Sequence, residues 1–347
     1  MKQYKSLDLA KFVCAILIII LHTAPFSSYS KALTFGFRNI VTVIAVPFFF
    51  LTSGFLFFKK LNTLAPEKQN DYLLYYLKRL AVMYLIWSAI YFGFVVIKWT
   101  RSTFNLYSVL EYVKDFFFEG SYSTIWFLPA LLTAVLAVYL LHWKLSYKTI
   151  FAISCVIYVF TLGGSSYYGL VTKIPIVKAV YDLYYSFFDT IKNGICFGMI
   201  FVSMGAVVSE REERMYAKKD GFKACLPVLL FGVLLAVEEF FVAWMDWNDR
   251  GVDTVIVLIP FTYFFVKLLL SLDFDISNDN CATLRKYSIL MFLCQRIPLS
   301  IIDLFLSETM IATNSILHFA VVLTATLLIS FVILQLSKKY RMVRYAF

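Results

Sequence analysis

The chain alternates long apolar runs with short polar segments, and the runs are long enough to cross a bilayer. A transmembrane helix needs about 20 consecutive, mostly apolar residues. Runs of this kind cover 9–25, 38–58, 80–98, 124–142, 149–164, 190–209, 223–243, 252–271, 287–306 and 314–336. They predict an all-α, polytopic membrane protein of about ten transmembrane helices, a single membrane domain over 1–347 with no soluble domain of any size. The fifth run is short, and the ninth is interrupted by Gln295-Arg296-Ile297-Pro298. The first follows Lys2 and Lys5 as a signal peptide would, but no small-residue cleavage site comes after it, so it is read as retained.

The polar segments give an orientation. Segments 1–8, 59–79, 143–148, 210–223, 272–286 and 337–347 hold 20 basic residues, against 7 in 26–38, 99–123, 165–189, 244–251 and 307–313. Lys and Arg accumulate on the cytoplasmic side, so both termini are expected there, in a cell membrane. Composition agrees: 61% of residues are hydrophobic and 16% charged, where a soluble domain carries about 25% charge. The net charge of +10 follows this topogenic pattern, which argues against a nucleic-acid partner and for the lipid bilayer. The six cysteines have no CxxC or metal-ligand spacing and read as small hydrophobes, with no metal expected. Two outer segments are long enough to be structured or functional, Ser102 to Ser123 with Glu111, Asp115 and Glu119, and the stretch from Gly163 onward.

Ionisable groups inside apolar runs carry the functional signal, because hydrocarbon penalises each of them. Lys11 and His22 are eleven residues apart on the first run. That is close to three turns, so both lie on one helix face, separated by roughly 16 Å, with Asp8 near the same stripe. A neutral imidazole can take a proton from a hydroxyl and return it to a leaving group, while a cation at the other end can hold an anionic donor. The plainer reading is that Lys11 snorkels to the interface and His22 closes the helix. Asp189, Lys192 and Asn193 are predicted to open the sixth helix, with Asp189 and Lys192 on one face, as site residues or as a helix-end ion pair. Glu238 and Glu239 lie deep in the seventh run and need partners, and Arg296 in the ninth can meet one of them. Lys267, His142 and His318 read as span-end residues.

Taken together, several motifs resemble the integral-membrane acyltransferase family 3, in order and over the whole length. They are Leu7-Asp8-Leu9-Ala10-Lys11 with Leu21-His22, then Pro47-Phe48-Phe49-Phe50-Leu51-Thr52-Ser53-Gly54-Phe55, Ile125-Trp126-Phe127-Leu128-Pro129-Ala130-Leu131, Lys192-Asn193-Gly194, and Leu284-Arg285-Lys286-Tyr287-Ser288. The resemblance implies transfer of an acyl group, usually acetyl, from acetyl-CoA or another acyl-CoA to a hydroxyl of an envelope carbohydrate. It implies His22 as base, Lys11 in place of the family's Arg, Ser53 and Gly54 shaping the cavity, and Trp126 lining it. Lys11 and Lys192 keep the charge of the family's Arg without its planar fork, and Gln295 stands where many members have a His. The same stretch resembles the membrane half of the vancomycin-resistance serine racemases, which is thought to move serine, while the racemase half is not expected here. Three readings follow: an O-acyltransferase, a transporter of a small polar solute such as serine with Glu238 or Glu239 and Lys192 as binding groups, and a scaffold without activity.

Overall fold

The computed structural model describes residues 4–101, 104–216, 221–272 and 274–347; Lys2, Ser102, Lys218 and Lys219, used above for topology and loop length, lie outside them. The principal helices are α1 (Lys5–Thr23), α2 (Ala45–Leu61), α3 (Pro66–Arg101), α4 (Leu106–Phe118), α5 (Phe127–His142), α6 (Tyr147–Gly163) and α7 (Pro175–Tyr185). They continue as α8 (Met199–Tyr216), α9 (Gly221–Trp244), α10 (Leu258–Ser271), α11 (Asn278–Cys294), α12 (Arg296–Phe305) and α13 (Ser315–Lys339). No strand occurs among the described residues. Among the described residues, seven helical stretches are long and apolar enough to cross a membrane, and three shorter apolar helices (α5, α6 and α10) match the remaining expected spans. The protein is an all-α polytopic membrane protein.

Side-chain exposure shows how one such helix sits. On α9, Leu226, Leu229, Leu230, Val233, Val237 and Phe240 are exposed, while Leu235, Glu239 and Val242 are buried. The first set recurs at helical spacing and forms a stripe that in water would be a liability and in lipid is ordinary. The same logic explains two helices outside the spans. In the segment expected to be structured, α4 carries exposed Leu106, Tyr107, Leu110, Val113 and Phe117, and its first turn is capped by Asn105 accepting from the Ser108 amide at 2.9 Å. On α7, Ile176, Val180 and Leu183 are exposed. Short helices with one apolar face suit the plane of the membrane interface.

The chain forms two compact units, one comprising 1–7, 39–72 and 133–275, the other 8–38, 73–132 and 276–347. In the first, α2 packs closely on α8. A Cβ on Gly54 would lie 2.5 Å from the Val202 carbonyl oxygen, and one on Gly205 would collide with the Leu51 carbonyl oxygen and lie 2.5 Å from the Phe55 amide nitrogen. Apolar surface gives membrane helices no net drive to associate, so close backbone contact through small residues supplies the packing energy instead. The flanking phenylalanines Phe48, Phe50, Phe55, Phe57 and Phe58 are all buried.

In the second unit α11 and α12 are separated at Gln295, the interruption visible in the sequence. Pro298 brings no amide to the first turn of α12, a position where a helix needs none. The freed groups find partners: the Tyr91 hydroxyl donates to the Leu293 carbonyl, and the Gln295 side chain donates to Phe292 O at 3.0 Å. Tyr91 stacks on Tyr122 with ring centroids 4.7 Å apart, and Tyr122 shares a 2.6 Å hydrogen bond with Ser300 of α12. All six cysteines are free thiols.

Gly54→Val should therefore fail by overpacking, at about 1–3 kcal/mol or more. Thermal unfolding of the detergent-purified variant, followed by size-exclusion fluorescence, is expected to show a clearly lowered midpoint.

Candidate functional site

The first candidate lies on α1, within the second unit. Asp8, Lys11 and His22 fall on one side of this continuous helix, as their spacing requires. Asp8 is 4% exposed, and its Oδ2 lies 3.3 Å from Nε of Arg285 on α11. Lys11 follows one turn later, within electrostatic reach of both Asp8 and Arg285. A cation, an anion and a second cation thus meet at one end of the helix. Each offsets part of the desolvation that burial imposes on the others.

At the other end, half-buried His22 feels the guanidinium groups of Arg296 and Arg38. Arg296 donates to Ser123 Oγ at 2.5 Å, while its Nε and the Gln295 Oε1 are buried without hydrogen-bond partners. His22 is held in place by the turn that follows it. The Thr23 hydroxyl donates back to Ile19 O at 2.8 Å, and Ala24 adopts a left-handed φ of 43° that ends the helix before Pro25. The turn is then tied to α13: Ser315 Oγ donates to Pro25 O at 2.7 Å, and the Ser28 amide donates to Ser315 Oγ at 3.2 Å. Trp126 precedes α5 in the same unit, where its backbone packs so closely on Gly120, at φ 94°, that a Cβ there would collide with it.

The second candidate lies in the first unit. A cavity of about 440 Å³ is lined by Asp189, Lys192, Asp249 and Arg250 together with Ser165, Thr190 and the rings of Tyr168 and Tyr185. The Arg250 guanidinium sits 3.7 Å from the Tyr185 ring centroid. Burial pushes the Tyr185 phenol up to about 12, against the opposing pull of Arg250, so it remains a hydrogen-bond donor. Ser165 is 1% exposed, and its hydroxyl has no hydrogen-bond partner.

Here one expectation needs correction. Asp189 and Lys192 do not share a helix face, because 186–193 is irregular and the helix begins after Asn193. Lys192 pairs instead with Asp253, sixty-one residues later in sequence. Asn193 is a cap, accepting from the Ile195 and Cys196 amides at 3.0 and 2.9 Å, which is the job its side chain does best at a helix start. Arg296 bonds Ser123.

The two glutamates divide. Glu238 accepts from the Tyr167 hydroxyl and from the amides of Ile256 and Val257, both at 2.7 Å. Those amides precede α10, whose first residues have no side-chain cap of their own, so Glu238 caps α10 from another helix. Burial and this hydrogen bond push the Tyr167 phenol well above its ordinary value. Glu239 is 1% exposed, and its Oε1 has no hydrogen-bond partner. Of the resemblance-derived residues, Ser53 is half-buried and Gly54 is the close-packing residue of α2.

A family model described as an acyltransferase domain matches residues 4–335. An amino-acid racemase of Enterococcus faecalis is 31% identical over 78% of this chain and 36% of its own length. A second amino-acid racemase of that organism is 24% identical over 97% of this chain and 47% of its own. A serine/alanine racemase of Enterococcus gallinarum is 24% identical over 76% and 36%. The chain thus spans less than half the length of the curated relatives it matches. No solved structure matches.

Removing the Glu238 carboxylate should uncap α10 without touching the polar cavity. Hydrogen exchange by mass spectrometry on Glu238→Ala is expected to show faster exchange at 254–258, with local stability falling by about 1.5–3 kcal/mol. Unchanged protection there would contradict the capping role.

Proposed function

The chain belongs to the membrane acyltransferase-domain family, and from that membership we propose that it is an O-acyltransferase moving an acyl group, in the first instance acetyl, from acyl-CoA to a hydroxyl of an envelope carbohydrate. The observation that carries the reading is the register of α1, with Lys11 among charged partners at one end and His22 within electrostatic reach of two guanidinium groups at the other. His22 accepts the proton of the acceptor hydroxyl. The oxygen attacks the thioester carbonyl, and the C–S bond then breaks to release CoA thiolate, which takes up the proton. Charge developing on the carbonyl oxygen meets Arg296, whose Nε carries no hydrogen bond of its own. Lys11, with the Asp8–Arg285 pair, receives the donor at the opposite end. The positive-inside bias puts the Lys11 end in the cytoplasm with both termini, and the His22 end toward the envelope.

A second reading has its own observation. The cavity of the first unit offers carboxylates and cations side by side, an arrangement suited to a small zwitterion. The relatives carry the names amino-acid and serine/alanine racemase. On this reading the chain binds or moves a small amino acid, with Lys192 and Glu239 among the groups that respond to it.

The readings separate cleanly. His22→Ala is expected to abolish envelope acetylation while the protein stays in the membrane at normal level; acetyl content equal to that of the wild type would exclude the transferase reading. Uptake of labelled serine into proteoliposomes tests the other. It should depend on the protein and fall with Glu239→Gln, and no protein-dependent uptake would end that reading.

A further inference from the structure

Two cations line the polar cavity of the first unit, and the fold treats them differently. Lys192 is paired with Asp253. Arg250 has neither an ion pair nor a hydrogen bond from its guanidinium among the described residues; it lies instead over two rings, 3.7 Å from the Tyr185 centroid and 5.0 Å from that of Tyr168. A cation that only marks membrane topology extends into water. This one is folded back on aromatic faces, which fix the plane of the guanidinium and leave its N–H donors available.

The clamp is itself held. The Tyr185 hydroxyl donates to the Gly164 carbonyl, and the Tyr168 amide donates to Ser165 O at 3.1 Å. The two rings meet edge to face, with centroids 6.0 Å apart. The turn that carries Arg250 follows Asp246, at a left-handed φ of 54°, and is fastened where the Gly169 amide donates to Trp247 O at 2.9 Å. A Cβ on Gly169 would lie 2.8 Å from Asp246 O, so a side chain there would push the turn away. Beyond Arg250, the Thr254 amide donates to Ser166 Oγ at 3.1 Å.

A second donor lines the same cavity. Ser165 is 1% exposed, and its Oγ is buried without a hydrogen-bond partner, a costly state unless a ligand answers it. Gly251, next to Arg250, keeps the approach to that hydroxyl clear, since a Cβ there would lie 2.5 Å from Ser165 Oγ. A carboxylate matches both groups, accepting paired bonds from the guanidinium and another from the hydroxyl. Asp189 and Asp249 line the same cavity; they suit an ammonium and would repel a doubly charged phosphate.

We propose that Arg250, clamped by Tyr168 and Tyr185, forms with Ser165 the carboxylate-binding end of this cavity, and that a small zwitterion sits there with its ammonium toward Asp189 and Asp249. The proposal rests on the second reading above and adds to it the anion-binding groups and the orientation of the ligand. Lys192 keeps Asp253 as its partner and responds to the ligand indirectly. On the orientation proposed above, 165–189 and 244–251 face the envelope, so the ligand enters from outside.

The test is binding of tritium-labelled L-serine, and in parallel labelled lactate, to the full-length protein in nanodiscs, read by scintillation proximity with unlabelled serine and serinamide as competitors. Serinamide keeps the amine and the hydroxyl but lacks the carboxylate, whereas lactate keeps the carboxylate without the amine. Serine should bind, lactate more weakly, and serinamide should compete about tenfold or more worse than serine. Arg250→Lys keeps the charge but not the planar fork and should weaken serine by about tenfold, with Ser165→Ala giving a smaller loss. Serinamide competing as well as serine, or wild-type affinity in Arg250→Lys, would overturn the proposal while amino-acid binding, and with it the second reading, stands. Lactate binding that needs Arg250, without serine binding, would keep the carboxylate site and end the amino-acid reading. Binding of neither would end both.

Discussion

A hydrocarbon layer holds no water to answer a carboxylate, an ammonium or a backbone amide left without a partner. Much of the structure follows from that constraint. Helices pair all but their terminal backbone groups, so the difficulty moves to helix ends and to the few polar side chains between them. Here the solutions come from a distance in sequence. Glu238 caps α10 from α9, Ser315 receives the turn after α1, and the break at Gln295 is met by Tyr91 and by Gln295 itself. Packing obeys the same rule, since without a hydrophobic drive the α2–α8 contact relies on Gly54 and Gly205 to bring backbones together.

Polar atoms that the fold leaves unanswered then stand out. Ser165 Oγ, Glu239 Oε1, Gln295 Oε1 and Arg296 Nε are buried without hydrogen-bond partners. Two of them belong to the unit of His22 and two to the unit with the small polar cavity. Groups of this kind are expensive to keep unless a ligand or a reaction uses them. Their chemistry differs between the units. An imidazole among guanidinium groups suits proton transfer beside developing negative charge, whereas adjacent carboxylates and cations suit a molecule bearing both charges.

Much of this was legible in the sequence because it depends on local pattern. The ten apolar runs each correspond to a helical element, and the eleven-residue interval between Lys11 and His22 survives as one helix face. Local pattern failed where partners are remote. Nothing near Lys192 announces Asp253, and nothing near Glu238 announces the amides of Ile256 and Val257. The eighth run begins helical structure only at Leu258, because 252–257 is the irregular approach that Glu238 caps. Asn193 opens a helix as its position suggests, but helical spacing does not hold for Asp189 and Lys192, which lie where no helix exists.

The central claim is that α1 carries an acyl-transfer site open to a donor at its Lys11 end and to an acceptor at its His22 end. It is tested most directly by sealed proteoliposomes holding oriented protein, with acetyl-labelled acetyl-CoA on the Lys11 side and an envelope carbohydrate on the other. The account predicts label on the carbohydrate across the sealed bilayer and free CoA left on the donor side. Label that stays entirely with CoA, in vesicles where the protein is folded and CoA is bound, would contradict it.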